Sequence, residues 1–430
     1  MAELQIEPPK DGDLKELPIE RIPDKGRLDW VDAARGFIIL WFIVTLAFPA
    51  GSDLNLSGVF VLYGIVHNGP AMLGGLSFTI FDFGAPALIF LLGLTMPISY
   101  RKRKEEKGAS AALRYILFRY LVLLILGIVV ANIDLEFLKY YSYASETDYV
   151  FLGTGSIPDI QRPVMFFIPW DVVISIAVSG MVGFIFMGVR NIRYRFFLAY
   201  AWILLYQVGL YSTELRTFAE RSMHGGLFGT IFGYGSIAIL GTAMGDYLFF
   251  TSASETKKFR GLIIFGLSNL AVTIIWILIG RSERPDIIQG ILIDYNIVSF
   301  SYVVTAIGIM SVFLWVFYQI NTKLKKDMTW LRIFGVNTFL LYFIAVVPYT
   351  LFTKIYGMIY PSLIIPWPVA LVVSIVIIGY TIFTALYLHK KQKRISTTKV
   401  GLIFIATQIA ILIIFIVVEL IWDLGLFILF

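Results

Sequence analysis

The sequence predicts an all-α polytopic membrane protein with about eleven spanning helices, its N-terminus cytoplasmic and its C-terminus outside. Three observations lead there. Of 430 residues, 58% are hydrophobic and 15% charged, with a mean hydropathy of +0.81, whereas soluble domains carry roughly 45–50% apolar and about 25% charged residues. The apolar residues fall in continuous runs of about twenty, the length a helix needs to cross a hydrocarbon core of about 30 Å; a spanning β-barrel would alternate instead. Lysine and arginine gather in alternate connections, as cytoplasmic loops require.

Residues 1–28 are polar, with prolines at 8, 9, 18 and 23, and read as a flexible cytoplasmic tail. They lack the basic segment, apolar stretch and cleavage site of a signal peptide. Residues 29–430 form one helical domain. The expected spans are 34–50, 80–100, 112–132, 169–189, 196–212, 227–250, 261–280, 297–320, 333–352, 366–388 and 399–425.

The basic loops carry Arg101 to Lys104 with Lys107, then Arg190, Arg193 and Arg195, then Lys257, Lys258 and Arg260. Next come Lys323, Lys325 and Lys326, and last Lys390, Lys391, Lys393 and Arg394. The formal net charge of +6 is therefore a topology signal, not the footprint of a nucleic-acid partner. The intervening outer loops include the glycine-rich stretch 51–79 and the stretch 133–168, which holds Asp134, Glu136, Glu146 and Asp148 among tyrosines. Within span 227–250, Gly229, Gly233, Gly241 and Gly245 mark a closely packed central helix.

The chain has no cysteine, which removes disulfides, thiolate zinc sites and thiol nucleophiles. Three histidines, His67, His224 and His389, are too few and too scattered for a multi-histidine metal centre. No metalloprotease, phosphate-loop or dinucleotide fingerprint is present.

His67 is the first candidate for chemistry, because imidazole titrates near neutrality and serves as a general base; a loop histidine without a role is the plainer reading. Asp82 enters an apolar span, where an acidic group is functional by default. It would equally cap the helix, or fix the tautomer of His67. Arg35 opens span one, and Arg114 and Arg119 open span three on the same side. Their guanidinium groups suit phosphates arriving from the cytosol, or simple anchoring at the interface. Asn337 is a buried amide that could join helices. Asp246, near a helix end, reads as a cap or loop partner, and His224 as a weaker version of His67.

Four stretches together resemble the heparan-α-glucosaminide N-acetyltransferase family of transmembrane acyltransferases. They are Arg27 to Leu46, the run from His67 through Gly75-Leu76 to Asp82–Gly93, Leu113–Arg119, and Ser299–Thr305 followed by Gly335–Thr338. The resemblance implies eleven spans, acetyl-CoA bound from the cytosol and an amino sugar or other glycan acceptor on the outer side. It implies His67 as base or transient acyl carrier with Asp82 as its carboxylate; Asn337, in the matching Gly335–Thr338 stretch, is the third catalytic candidate, and no metal is expected. The resemblance also implies residence in the plasma membrane and a homodimer. Leu46 stands near the family's asparagine position, and Ser222 to Gly226 stand where the family has an acidic segment. Two other readings compete. An acyltransferase-three relative would carry a histidine where Thr45 and Leu46 stand. A secondary transporter would show broken helices and charges near the midplane.

Overall fold

The computed structural model describes residues 28–46, 83–131, 172–212, 215–216, 219, 223–280, 297–324, 328–359, 367–391, 393–396, 398–407 and 410. Its regular elements are all helical: α1 (Asp29–Leu46), α2 (Gly84–Lys107), α3 (Ala109–Ala131), α4 (Val172–Phe186), α5 (Ile192–Gly209), α6 (Gly235–Phe250), α7 (Glu255–Gly280), α8 (Phe300–Thr322), α9 (Thr329–Val336), α10 (Thr338–Ile359), α11 (Trp367–Lys390) and α12 (Thr398–Thr407). A 3-10 turn (Met223–Gly225), a helical turn (Gly226–Phe228) and a π-helical turn (Gly229–Tyr234) lead into α6.

Among the described residues, five helical stretches are long and apolar enough to cross a membrane: Ala109–Ile128, Gly226–Phe250, Glu255–Leu278, Phe300–Thr322 and Pro368–Lys390. A sixth span forms if α9 and α10 are taken together, bent by 73° at Asn337. The chain is thus a helical membrane protein. Its burial pattern separates inner from outer helices. The span through α6 is 78% buried and α8 72%, whereas α7 and α11 are each 22% buried. The apolar side chains that α7 leaves exposed, Ile264, Leu267, Ile274, Ile275 and Leu278, form a face suited to lipid rather than water.

The glycines of span 227–250 divide into two groups. A Cβ on Gly241 would lie 2.6 Å from Phe90 O, and one on Gly93 would meet the backbone of α6 in return. Bare backbones therefore pack where α2 crosses α6, as expected of small residues in a membrane interior. Gly229 and Gly233 belong instead to the π-helical turn and face His224 and Val298. Gly36 and Gly335 make a second close crossing, of α1 on α9: a Cβ on either would overlap the backbone carbonyl of Leu331 or Asp32.

The helix ends that carry the basic runs lie together at one end of the bundle. Asp29 pairs with Arg332 at 2.7 Å. The Trp30 ring meets Phe259 edge-on at 5.7 Å and Tyr318 at 6.1 Å. The Arg103 guanidinium lies 3.3 Å over the Tyr115 ring across the α2–α3 turn. At the opposite end, Tyr206 donates to Ile297 O at 2.7 Å, and Gln207 accepts from Phe300 N at 2.8 Å, capping α8 against α5. Eleven residues separate Arg195 from Tyr206 on α5, so the two ends are at least about 16 Å apart.

Candidate functional site

A cavity of about 410 Å³ opens among α1, α2, α3, α4, α9 and α10. Along α2 its lining runs from Ser99 to Leu88, a depth of about 16 Å at 1.5 Å per residue. Its inner walls are apolar: Ile39 of α1, Leu92 of α2, Leu123 of α3, Ile176 of α4 and Tyr342 of α10 all contribute. Its outer part, toward the basic end, holds Asp32, Arg35, Thr95 and Arg119.

Arg35 is fixed from three sides. Its Nη2 donates to Thr95 Oγ1 at 2.5 Å and lies 3.4 Å from Leu91 O, while Nη1 reaches Asp32 Oδ1 at 3.4 Å. Thr95 in turn donates to Leu91 O at 2.9 Å, so its oxygen is oriented to accept from Arg35. Arg119 is placed differently. It makes no hydrogen bond or ion pair with any described residue, and its Nε is buried. Two guanidinium groups and the carboxylate of Asp32 thus line one cleft with apolar walls, and the carboxylate pairs with Arg35. A cation left without a protein partner in such surroundings is unfavourable, and an anionic ligand would relieve it.

The structure brings two of the predicted arginines, Arg35 and Arg119, into one cavity and leaves Arg114 out. Arg114 is exposed and reaches only Ser110, at 3.3 Å. Arg114 and Arg119 are five residues apart, about 500° of rotation, so they point to different sides of α3. Asn337 joins chain segments: its Nδ2 donates to Lys393 O at 3.3 Å and its Oδ1 accepts from Ile395 N at 3.0 Å. His67 and Asp82 lie outside the described residues.

No protein-family model matches the chain, and neither does any curated protein.

Two polar clusters were not evident from sequence. At the basic end, Asp246 accepts from Arg101 at 2.8 Å on one oxygen and from Arg195 on the other. Arg195 is 1% exposed and also donates to Thr242 at 3.3 Å. Asp246 is therefore neither a cap nor a loop partner; it ties α2, α5 and α6 together. The available signal was an aspartate inside an apolar span, which demands a charged partner.

At the opposite end, Tyr234 Oη lies 3.0 Å from His224 Nδ1 and 3.4 Å from Tyr302 Oη, all three residues buried. His224 and Val298 both adopt positive φ, 56° and 53°. For a β-branched residue such as Val298 that conformation is a genuine outlier. Each such residue stores on the order of 1–3 kcal/mol. The π-helical turn that carries Tyr234 is also a form that recurs at functional positions.

Proposed function

We propose that the protein is an acyl-CoA-dependent transmembrane acyltransferase of the plasma membrane. It takes an acetyl group from acetyl-CoA at the basic end and passes it to an amino sugar or other glycan acceptor on the outer side. The observation that carries this reading is Arg119, a guanidinium with no partner among the described residues, which lines with Arg35 a cavity that continues inward as an apolar channel. A ligand with an anionic head and a long, thin, weakly polar arm suits that shape, and an acyl-CoA is such a ligand. The volume falls in the range of ligand pockets, about 300–1,000 Å³, and accommodates the arm and the diphosphate with the adenosine outside it. The basic end faces the cytosol under the positive-inside rule.

In the transfer, the acceptor nitrogen attacks the thioester carbonyl carbon and the carbon–sulfur bond breaks. The acceptor proton goes to His67 and is returned to the leaving thiolate. An ammonium has no lone pair, so removal of that proton is required for attack. Asp82 would hold the imidazolium. If a transient acyl-histidine forms instead, the His67 ring nitrogen attacks the thioester carbon and the thiolate leaves, taking the proton of the other ring nitrogen; the acceptor nitrogen then attacks the acyl-imidazole and passes its proton to the departing imidazole.

The broken span at Asn337 favours a second reading, a secondary transporter, because interrupted helices line transport sites. One experiment separates them: calorimetric titration of the detergent-solubilised protein with acetyl-CoA and desulfo-CoA, with ATP as comparison. Saturable binding that weakens in Arg119→Ala supports the acyltransferase. No binding of either CoA derivative sinks it.

A further inference from the structure

Asn337 stands at the break between α9 and α10, and its amide faces the segment that follows α11. The bonds to Lys393 O and Ile395 N are complementary: the amide offers one donor and one acceptor to the backbone of a single short stretch. Lys393 N also donates to Leu388 O at 2.9 Å, so the stretch is tied to the end of α11 as well. Ile395 then forms part of the cavity wall beside Gly335 and Val336. The two residues before it, Lys393 and Arg394, are exposed, and the side chain of neither makes an ion pair or hydrogen bond with any described residue.

The consequence is positional. Successive Cα atoms are about 3.8 Å apart, so Arg394 and Lys393 leave the cavity wall within about two residues' length. One buried amide therefore sets two cations, neither paired with a described residue, one and two positions from the cavity-lining Ile395, and the cavity holds two more cations inside. Positive-inside anchoring accounts for basic residues on this side of the membrane. It does not account for a polar latch that fixes this basic pair against this wall.

We infer that Lys393 and Arg394 form an outer anion subsite, held in register by Asn337, and that the ligand carries at least two separated anionic groups. The inner group sits between Arg35 and Arg119, the outer one at Lys393 and Arg394, and the uncharged arm runs inward. This rests on the acyl-CoA reading, under which the diphosphate occupies the inner position and the ribose 3′-phosphate the rim. An amphiphile with a single phosphate, such as an anionic phospholipid, would satisfy the inner pair and leave the rim unused. Asn337 is then a positioning residue, not a participant in the chemistry.

The test compares CoA with dephospho-CoA, which lacks only the 3′-phosphate, by calorimetry on full-length protein in detergent. Charge-assisted hydrogen bonds of this type correspond to about tenfold or more in affinity, so the wild type should prefer CoA by that factor. Lys393→Gln with Arg394→Gln, both at exposed positions, should erase the preference by weakening CoA alone. Asn337→Ala should shift the preference the same way without touching either cation. If the double variant keeps the preference, or weakens both ligands equally, the rim assignment is wrong while the cavity reading stands. If the wild type binds neither nucleotide, yet is thermally stabilised by phosphatidic acid in an Arg119-dependent manner, the ligand is a single-phosphate lipid and both readings fall.

Discussion

Asp246 and Arg195 form an ion pair inside the helical bundle, in which the arginine is 1% exposed and its partner carboxylate is shared with Arg101. The pair joins α5 to α6, and Arg101 extends it to α2 while lying 3.8 Å over the Phe250 ring. Removing the carboxylate would leave Arg195 as a buried, uncompensated charge. Asp246→Asn should therefore destabilise the protein by about 3–5 kcal/mol, read as a lowered unfolding midpoint in detergent. Arg101→Gln should have a clearly smaller effect, because that side chain is 43% exposed and exposed pairs contribute only about 0–1 kcal/mol. Equal losses in the two variants would show that the triad is not organised around the buried arm.

The arginines of α3 provide a contrast within one helix. Arg119→Ala should reduce CoA affinity about tenfold or more, whereas Arg114→Ala should leave it within a factor of two or so, since Arg114 reaches Ser110 and does not line the cavity. A matching loss in Arg114→Ala would place the nucleotide along the outer face of α3 instead of in the cavity.

Thr95 holds Arg35 at the cavity wall. Thr95→Val preserves side-chain shape but removes the acceptor 2.5 Å from Nη2. CoA binding should weaken about threefold to tenfold, from a hydrogen bond to a charged group that contributes about 1.5 kcal/mol or somewhat less after Asp32 compensates. Titration of the purified variant measures this directly, and unchanged affinity would mean that Arg35 is oriented without Thr95.

The His224–Tyr234–Tyr302 cluster lies at the end of the bundle away from the cavity mouth. Tyr234→Phe removes the hydroxyl that links the other two. It should cost about 0.5–1.5 kcal/mol, the net contribution of a typical hydrogen bond, since His224 and Tyr302 keep other interactions, while CoA affinity stays at the wild-type value. Thermal unfolding and titration on the same preparation separate these effects.

His67→Ala should abolish acyl transfer and keep CoA binding under the proposed mechanism, which assigns the imidazole to the acceptor and not to the nucleotide. Product formation at wild-type rate, followed by mass spectrometry of the acceptor, would remove His67 from the chemistry.

Much of the architecture was legible because it follows from local composition. Apolar runs of spanning length became α3, the helix through Gly226–Phe250, α7, α8 and α11, and the alternating basic loops became one basic end. Close packing of the glycine-bearing helix was legible too, whereas its partner at Gly241, α2, was not. The span expected at 333–352 was continuous by hydropathy, yet it breaks at Asn337 into α9 and α10. Hydropathy averages over side chains and carries no information about an amide that turns to bind another segment's backbone.

The sequence by itself determined the solvent this chain is built for and the segments that cross it, because burial of apolar side chains in lipid depends only on their number and order. It also supplied Arg35 and Arg119 as candidate anion ligands, which the fold places in one cavity lining. Tertiary structure decided which polar groups come together: Asp246 finds Arg195 across 51 residues of chain, Asn337 finds Lys393 and Ile395 across more than fifty, and Arg119 lines the same cavity as Arg35 while Arg114 does not. These pairings depend on how helices cross and rotate, and in this chain that is set by bare-backbone contacts such as Gly36 on α9 and Gly335 on α1. Those contacts are properties of two surfaces together, which no single stretch of sequence contains.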